Sequence, residues 1–190
     1  EDLYGGSWDS DPYTITQRYS WDAGRGCFTY KYEVTNGYEV NADGTIKMRD
    51  IKDAEGNVTG KEPVPLITSI DPFLGGMFAI RTTGHGSDIF GNSTYTTTWI
   101  TFQVVRGKLV TIRTESTTTG EDVLGNSTTS HSVTVNNYKW RNKTTHEENT
   151  GADHTNDYYV LDTVSTTSWS SGEDLYGGSW DSDPYTITQR

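Results

Sequence analysis

Four histidines and a scatter of carboxylates are the residues of this chain that could take part in catalysis or hold a metal ion. The histidines lie in polar or turn-like surroundings without His-x-x-x-His or Cys-x-x-Cys spacing; they are His85, His131, His146 and His154. Zinc needs closely spaced ligands of these types, and a Gly-x-Ser-x-Gly nucleophile elbow is missing from the sequence. Paired glycosidase carboxylates stay open, but no acidic residue has a distinctive apolar setting. We therefore expect a non-catalytic protein.

Calcium is the cofactor that the acidic residues favour most. The sequence WDSDP places Asp9 and Asp11 two positions apart, and Glu1 and Asp2 lie shortly before them. Calcium is bound by several oxygen ligands, which a loop of this kind can supply. A complete EF-hand and a nonapeptide calcium repeat are both missing, so an acidic turn without a metal ion is the alternative.

The aromatic content raises the question of sugar binding. Six tryptophans could form a platform for glycans, as in carbohydrate-binding modules. Most of them are flanked by alternating apolar residues, which favours positions in a core or an interface. A binding platform would require two or three tryptophans on one flat exposed face.

The charge and the composition of the chain limit the classes of partner that it can bind. The formal charge of −11 repels the nucleic-acid backbone, and no apolar run is long enough to insert into a membrane. Richness in Thr, Ser and Asn with little Lys favours an extracellular or cell-surface setting. Four Asn-x-Ser/Thr sequons are candidate glycosylation sites in such a setting, at Asn57, Asn92, Asn126 and Asn142.

The elements that carry these residues are predicted to be strands. Thr makes up roughly one residue in six and Tyr and Trp are frequent, whereas good helix formers are scarce. The stretch YTITQRYSW alternates, with Tyr13, Ile15, Gln17, Tyr19 and Trp21 on one face. The spacing of such stretches predicts an all-β fold, an antiparallel β-sandwich or open barrel of about nine to eleven strands.

Turn signals divide the chain between these strands. Asn36-Gly37 predicts a two-residue hairpin turn, and Asp43-Gly44 and Arg106-Gly107 predict further turns. The apolar stretch LITSIDPFLGGMFAIRT predicts central core strands with a tight turn or bulge at Gly75-Gly76. Cys27, the single cysteine, is expected to be a small buried hydrophobic residue.

A short turn motif recurs inside the chain. GSDIFGNST at 86–94, GEDVLGNST at 120–128 and GEDLYGGSW at 172–180 each precede an alternating stretch. We expect Asp to cap the turn, Gly to adopt positive φ, and Asn to tolerate the left-handed region. These Asp-x-x-Gly-Asn turns resemble the tyrosine–aspartate repeats of Rhs-type shell proteins. The regular spacing of that family is missing, so no shell function follows.

An exact repetition is the strongest feature of the sequence. The stretch EDLYGGSWDSDPYTITQR occupies residues 1–18 and returns unchanged at 173–190, although the internal turn motifs have drifted. Two explanations stand: near-perfect tandem repeats of 172 residues, or a strand appended to fill a position in the fold. The tandem array is favoured. It divides the chain into one all-β unit, 1–172, and a segment, 173–190, that starts the next unit or complements this one.

A duplicated strand predicts linkage between units by β-strand addition. The residues expected at this linkage are Leu3, Tyr4, Trp8, Tyr13, Ile15 and Gln17 in the first copy and Leu175, Tyr176, Trp180, Tyr185, Ile187 and Gln189 in the second. The plan resembles the donor-strand linkage of pilus and filament subunits and the giant repetitive surface adhesins of bacteria.

The sequence therefore predicts a structural subunit of an extracellular filament or tandem-repeat surface protein. Its partners would be copies of itself in a linear polymer, with surface glycans as a further target. The alternative is a carbohydrate-binding or adhesin domain stabilised by an engineered extra strand; a glycan-acting enzyme is a third, weaker hypothesis. A polymer requires that one copy of the segment contact a different unit. If both copies are ordered within one isolated monomer, the polymer hypothesis fails and the extra-strand alternative gains.

Overall fold

The prediction of an all-β antiparallel fold is confirmed. A computed structural model describes residues 7–10, 13–66, 70 and 76–190, and this part of the chain contains strands and turns without a helix. Every strand pair within it is antiparallel. No helix long and apolar enough to cross a membrane occurs among these residues.

Thirteen strands are present in the described residues. They are β1 (Ser7–Ser10), β2 (Thr14–Asp22), β3 (Cys27–Thr35), β4 (Gly37–Tyr38), β5 (Met48–Lys52), β6 (Val58–Pro63), β7 (Gly76–Ser87), β8 (Ser93–Val105), β9 (Lys108–Glu121), β10 (Ser127–Asn142), β11 (Asp157–Glu173), β12 (Ser179–Asp181) and β13 (Tyr185–Gln189).

Nine of these strands form one open main sheet. Its order is β1-β7-β8-β9-β10-β11-β12; β4 shares the free edge of β7 with β1, and β13 shares the free edge of β11 with β12. The hairpins β2–β3 and β5–β6 are separate two-stranded sheets. Consecutive strands from β7 to β12 are neighbours, so this part of the main sheet is a meander; its connections are short turns except for the longer β10–β11 loop, residues 143–156.

The hydrophobic core lies at one end of the main sheet, where a second layer covers it. Phe78, Ile80 and Val104 are buried together with Tyr32 of β3. Side chains alternate along a strand, so Phe78 and Ile80 share the face that packs against the β2–β3 hairpin. Tyr32 donates its hydroxyl to the Gly107 carbonyl at 2.7 Å, which fixes this hairpin to the β8–β9 turn.

The other face of this end is covered by the turn at Asp43-Gly44. Gly44 has φ of +80°, which confirms the predicted turn. Its carbonyl accepts a hydrogen bond of 2.9 Å from the Thr101 hydroxyl, and Thr101 is only 1% exposed. The core end is therefore covered on both faces.

Two predictions in this region are wrong. Asn36 does have positive φ, 56°, but Gly37 pairs with Ile80 of β7 instead of returning to β3, so there is no two-residue hairpin. Cys27 is exposed at the end of the β2–β3 hairpin, where it pairs with Asp22 beyond the reach of the core. The apolar stretch at 66–82 does supply β7, whereas residues 67–69 and 71–75, including Gly75, lie outside the described residues.

Candidate functional site

The recurring turn motif forms a row along one end of the main sheet. The β7–β8, β9–β10 and β11–β12 turns begin at Asp88, Asp122 and Asp174, and their flanking residues are in register across the sheet. Each Asp Oδ1 accepts backbone N–H groups of its own turn, at 2.7 to 3.0 Å. The glycine of each turn has φ between 81° and 88°. The predicted roles of Asp and Gly are confirmed.

The predicted role of the asparagines is wrong. Within the described residues, the non-glycine residues with positive φ are Asn36, Arg106 and His146, so Asn92 and Asn126 do not occupy the left-handed region. Each instead donates Nδ2 to the Asp of its own turn at 2.7 Å. Each asparagine side chain thus connects the end of its turn to the aspartate at the start of the same turn.

The same two asparagines also link neighbouring turns. Asn92 Oδ1 accepts the Val123 N–H at 3.3 Å, and Asn126 Oδ1 accepts the Leu175 N–H at 3.0 Å. The third turn has Gly178 at the equivalent position, and glycine has no side-chain amide that could link this turn to another. The exposed tips of the three turns carry paired apolar residues: Ile89 and Phe90, Val123 and Leu124, and Leu175 and Tyr176.

The turn hydrogen bonds shift the acidity of the carboxyls. The Asn92 side chain, with backbone N–H groups, holds the pKa of Asp88 below its ordinary value, and Asn126 does the same for Asp122. A similar turn at residues 53–57 lowers the pKa of Asp53 chiefly through the Asn57 backbone N–H. Hydrogen bonds to the ionised form favour that form.

The first copy of the duplicated segment lies at the β7 edge and beside the core. Its β1 strand pairs with β7, with Ser7 opposite Ser87, and its β2 strand pairs with β3. Ile15 packs against the buried core cluster, and Gln17 Nε2 donates to the Tyr32 hydroxyl at 2.9 Å. Tyr13 is exposed. Leu3, Tyr4 and the side chain of Trp8 lie outside the described residues.

The second copy lies at the opposite edge of the main sheet, along β11. Trp180 pairs with Gly172, and a Cβ atom on this glycine would come within 2.5 Å of the indole Nε1. Gly172 thus leaves room for the indole to lie on the neighbouring strand. Tyr185 and Ile187 are 59% and 58% exposed on β13, and Gln189 ends this strand.

Pairs of side-chain hydroxyls also join β13 of the second copy to β11. Thr186 lies 2.8 Å from Thr167 and Thr188 lies 3.0 Å from Ser165, measured between side-chain oxygens. Leu175 and Tyr176 occupy the exposed tip of the turn that precedes β12. The structure therefore places part of each copy at opposite edges of the main sheet: β1 of the first copy lies on β7, and β12 and β13 of the second copy lie on β11. The β2 strand of the first copy pairs with β3 in a separate two-stranded sheet.

The candidate glycosylation sites are all part of turns. The Nδ2 atoms of Asn57, Asn92 and Asn126 donate to aspartate carboxylates. Asn142 accepts the backbone N–H groups of Thr144 and Thr145 through Oδ1. Glycosylation stays a prediction at these positions.

A polar cluster between the β8–β9 turn and the β10–β11 loop was not predicted. Asp157 is 1% exposed, and its carboxylate contacts Asn149 Nδ2 at 2.6 Å and His154 Nδ1 at 2.9 Å. The His154 ring stacks on Trp140, and the Arg106 guanidinium lies 4.5 Å from the centre of the same indole. The spacing His-x-x-Asp in a polar loop was the signal in the sequence.

This cluster holds the β10–β11 loop against the β8–β9 turn and the main sheet. Arg106 Nη1 donates to the Asp157 carbonyl at 2.6 Å, and Nη2 donates to the His154 carbonyl. The carboxylate and the imidazole thus pair with each other, while the guanidinium is held by two backbone carbonyls and by the Trp140 ring. A cavity of about 260 Å³ opens beside them and includes Lys108 and Lys143 in its wall.

The other candidate residues are not brought together. His131 stacks on Trp169 and His146 contacts the Tyr158 hydroxyl, while His85 pairs with Asp9 across β7 and β1. Asp9 is exposed on β1, and Asp11 lies outside the described residues. Among the residues that are described, no group of three or more His, Cys, Asp or Glu side chains could hold a metal ion. The calcium proposal has no support beyond the sequence.

Comparison with protein-family models, curated proteins and solved structures found no match for this chain. Its function is therefore inferred from its own geometry.

Proposed function

We propose that this chain is a structural, non-catalytic unit of a linear polymer outside the cell or on its surface, in which neighbouring units are joined by β-strand addition through the duplicated segment. The observation that carries the proposal is the position of the two copies. The β1 strand of the first copy and the β12 and β13 strands of the second copy lie at opposite edges of the main sheet, as a linker between successive units requires.

The burial of equivalent residues supports the same conclusion. Ile15 of the first copy packs against the core, whereas its equivalent in the second copy, Ile187, is 58% exposed. The second copy is thus attached to β11 but lacks the layer that covers the first copy. A following unit would supply that layer from its own β3 and β7.

Both copies pair within this one chain, which is the outcome expected of the extra-strand alternative and counts against a polymer. That alternative explains why β12 and β13 lie on β11, but it gives no reason for the apolar side chains that they expose. Trp180, Tyr185 and Ile187 are each between 51% and 59% exposed. Covering side chains of this size contributes roughly 1–2 kcal/mol each when half of the surface is at stake.

Competition between the copies determines how separate chains behave. The second copy of one chain can enter the first-copy position of another chain only by displacing an identical sequence. Such an exchange replaces one set of interactions with an identical set, and the resident copy is held at high effective concentration by its covalent link. We therefore expect separate wild-type chains to be mainly monomeric, and a continuous tandem chain to be linked throughout.

Matched substitutions in the two copies test the proposal. Ile15→Asp weakens the resident first copy, so the second copy of a neighbouring chain should replace it and form head-to-tail polymers. Ile187→Asp leaves the resident copy intact and should keep the chain monomeric, as should the double variant. Sedimentation velocity at roughly 1–100 μM and negative-stain electron microscopy would measure the difference.

A synthetic peptide of residues 1–18 provides the second measurement. It should occupy the emptied position of the Ile15→Asp chain and shorten the polymers, or restore folding if this variant is unfolded alone. An Ile15→Asp chain that stays monomeric, or that the peptide neither shortens nor refolds, would contradict the proposed function.

A further inference from the structure

The second copy hydrogen-bonds to β11 through one backbone edge only. Asp174 donates its N–H to the Gly178 carbonyl and Ser182 donates to the Ser170 carbonyl, both at 2.8 Å. Hydrogen-bonded pairs alternate along an antiparallel ladder. The pair between these two, Trp180 with Gly172, is therefore hydrogen-bonded as well, and the backbone groups of Ser179 and Asp181 point away from β11.

The same alternation continues along β13. The register of β11 against β10 is regular from Glu173 to Val164, so the groups facing the edge continue at every second residue. Their partners on β13 are Tyr185, Ile187 and Gln189. The N–H and C=O groups of Thr186 and Thr188 consequently point to the open side of the strand.

The first copy uses the opposite edge where it pairs with β7. Asp88 donates its N–H to the Asn92 carbonyl at 3.1 Å, so Asp88, and by alternation Gly86, point toward β8. Ser87 and His85 then point toward β1. Their partners in the register are Ser7 and Asp9, which must supply the hydrogen-bonding groups.

The first copy also uses this edge where it pairs with β3. Tyr32 exchanges both backbone hydrogen bonds with Ile70, each at 3.0 Å, so its groups point away from β2. The neighbouring residues of β3, Glu33 and Thr35, therefore point toward β2. Their partners are Thr16 and Thr14.

The two sets of hydrogen-bonding residues do not overlap. Numbered on the first copy, the segment pairs with β7 and β3 through Ser7, Asp9, Thr14 and Thr16, whereas the second copy pairs with β11 through the equivalents of Trp8, Ser10, Tyr13, Ile15 and Gln17. The agreement holds independently in both halves of the segment. One strand with this sequence has the groups to make both sets of bonds at once.

We infer that a single copy of the segment hydrogen-bonds through both edges, with β11 of one unit on one side and with β7 and β3 of the next unit on the other. The partner is a second unit of this same sequence, and the inference rests on the proposed function. The main sheet is then continuous across the junction. Ile187 takes the position of Ile15 in the core of the following unit, which removes its exposure.

Hydrogen exchange in a chain of two units tests this arrangement. Such a chain consists of residues 1–190 continued by residues 19–190, so the middle copy of the segment has a unit on each side. In the single 190-residue chain, the amides of Tyr185 and Ile187 should be protected while those of Thr186 and Thr188 exchange fast. In the two-unit chain, both sets should be protected, with exchange at Thr186 and Thr188 slowed at least about a hundredfold.

Two proline substitutions in the middle copy provide the matched control. Thr188→Pro removes an N–H that faces solvent in the single chain, which an edge strand tolerates, together with an exposed hydroxyl that pairs with Ser165 and contributes little at the surface. It should leave the melting temperature of the single chain unchanged and uncouple the two units of the longer chain, which would then unfold separately. Ile187→Pro removes a bond to β11 and should detach β13 in both chains.

The outcomes separate this inference from the proposed function. If Ile15→Asp chains polymerise while Thr186 and Thr188 of the middle copy exchange as fast as in the single chain, the units are joined by other contacts and the shared strand is wrong. If these amides are protected but Ile15→Asp chains never assemble, the shared strand stands and the polymer formed from separate chains is wrong. Absence of any effect of Thr188→Pro in the two-unit chain would also overturn the inference.

Discussion

The two copies of the duplicated segment have one sequence and two environments. In the first copy, Ile15 packs against the core formed by Tyr32, Phe78, Ile80 and Val104. In the second copy, the equivalent Ile187 is more than half exposed on an edge strand. Because the sequences are identical, the difference comes entirely from what lies beside each copy. The isoleucine is partly buried where a layer covers it and exposed where that layer is missing, whereas the tyrosine two positions earlier is exposed in both copies, as Tyr13 and Tyr185.

This contrast also concerns aggregation. An exposed edge strand with apolar side chains pairs readily with other chains, and natural proteins generally block such edges. The β12–β13 edge is not blocked: it exposes Tyr185 and Ile187 and the free backbone groups between them. An edge with these exposed groups can pair with a strand of a following unit, as the proposed function requires.

The largest expected effect is on the stability of the single chain when the two isoleucines are changed in turn. Ile15→Asp places a carboxylate against the core and should lower the free energy of unfolding by about 2–4 kcal/mol. Ile187→Asp changes a half-exposed side chain and should lower it by less than about 0.5 kcal/mol. Urea unfolding at low micromolar concentration would measure both. Equal effects would mean that the two environments do not differ as described.

A smaller effect is expected at the glycine beneath Trp180. Gly172→Val places atoms where the indole lies, since even a Cβ would be 2.5 Å from Nε1. The ring should move off β11, with a loss of about 1–2 kcal/mol and a change in tryptophan fluorescence. Ser171→Ala, on the opposite face, is the control and should leave the fluorescence unchanged. An unchanged spectrum in Gly172→Val would show that the indole does not rest on this strand.

The β11–β12 turn, which begins the second copy, is stabilised by a hydrogen bond from the neighbouring β9–β10 turn, through Asn126. Asn126→Ala removes both the acceptor of the Leu175 N–H and the Nδ2 donor to Asp122, and should lower the free energy of unfolding by about 1–2 kcal/mol. The Leu175 amide should then exchange faster with solvent. Asn92→Ala removes the equivalent link one turn earlier and should leave Leu175 unaffected. Equal exchange at Leu175 in all three proteins would contradict the link.

The smallest effect is the acid sensitivity of the turns that contain asparagine. The pKa values of Asp88 and Asp122 are lowered in the folded chain, so their hydrogen bonds stabilise the fold fully above about pH 4. This stabilisation is lost as the pH falls through the lower folded pKa values. The amide shifts of Phe90 and Leu124 should report the change by NMR. Asp88→Asn keeps an acceptor oxygen without titrating, and should make the Phe90 shift independent of acid.

Local patterns predicted the strands and turns well. Alternation in YTITQRYSW gave β2, and Arg106-Gly107 gave the β8–β9 turn, where both residues have positive φ. These features depend on residues close together in the sequence. The Asn36-Gly37 hairpin failed because Gly37 pairs with a strand that comes about forty residues later, and no local pattern records that pairing.

The geometry of the candidate site could be predicted only in part. The repeat itself indicated a segment that pairs at a sheet edge, and its role as a link between units stays a prediction. Which backbone edge each copy uses depends on the register against β3, β7 and β11, which the segment does not contain. The links from Asn92 and Asn126 to the next turn were missed for the same reason, because each joins residues that meet only when the sheet forms.

The row of turns has one further consequence. Asn92 and Asn126 each tie one turn to the next, and Gly178 offers no such tie. In an array, one link in three would be missing, always at the boundary between units. The row of linked turns would thus be interrupted once per 172 residues, and neighbouring units would lack the side-chain link that joins the turns within a unit.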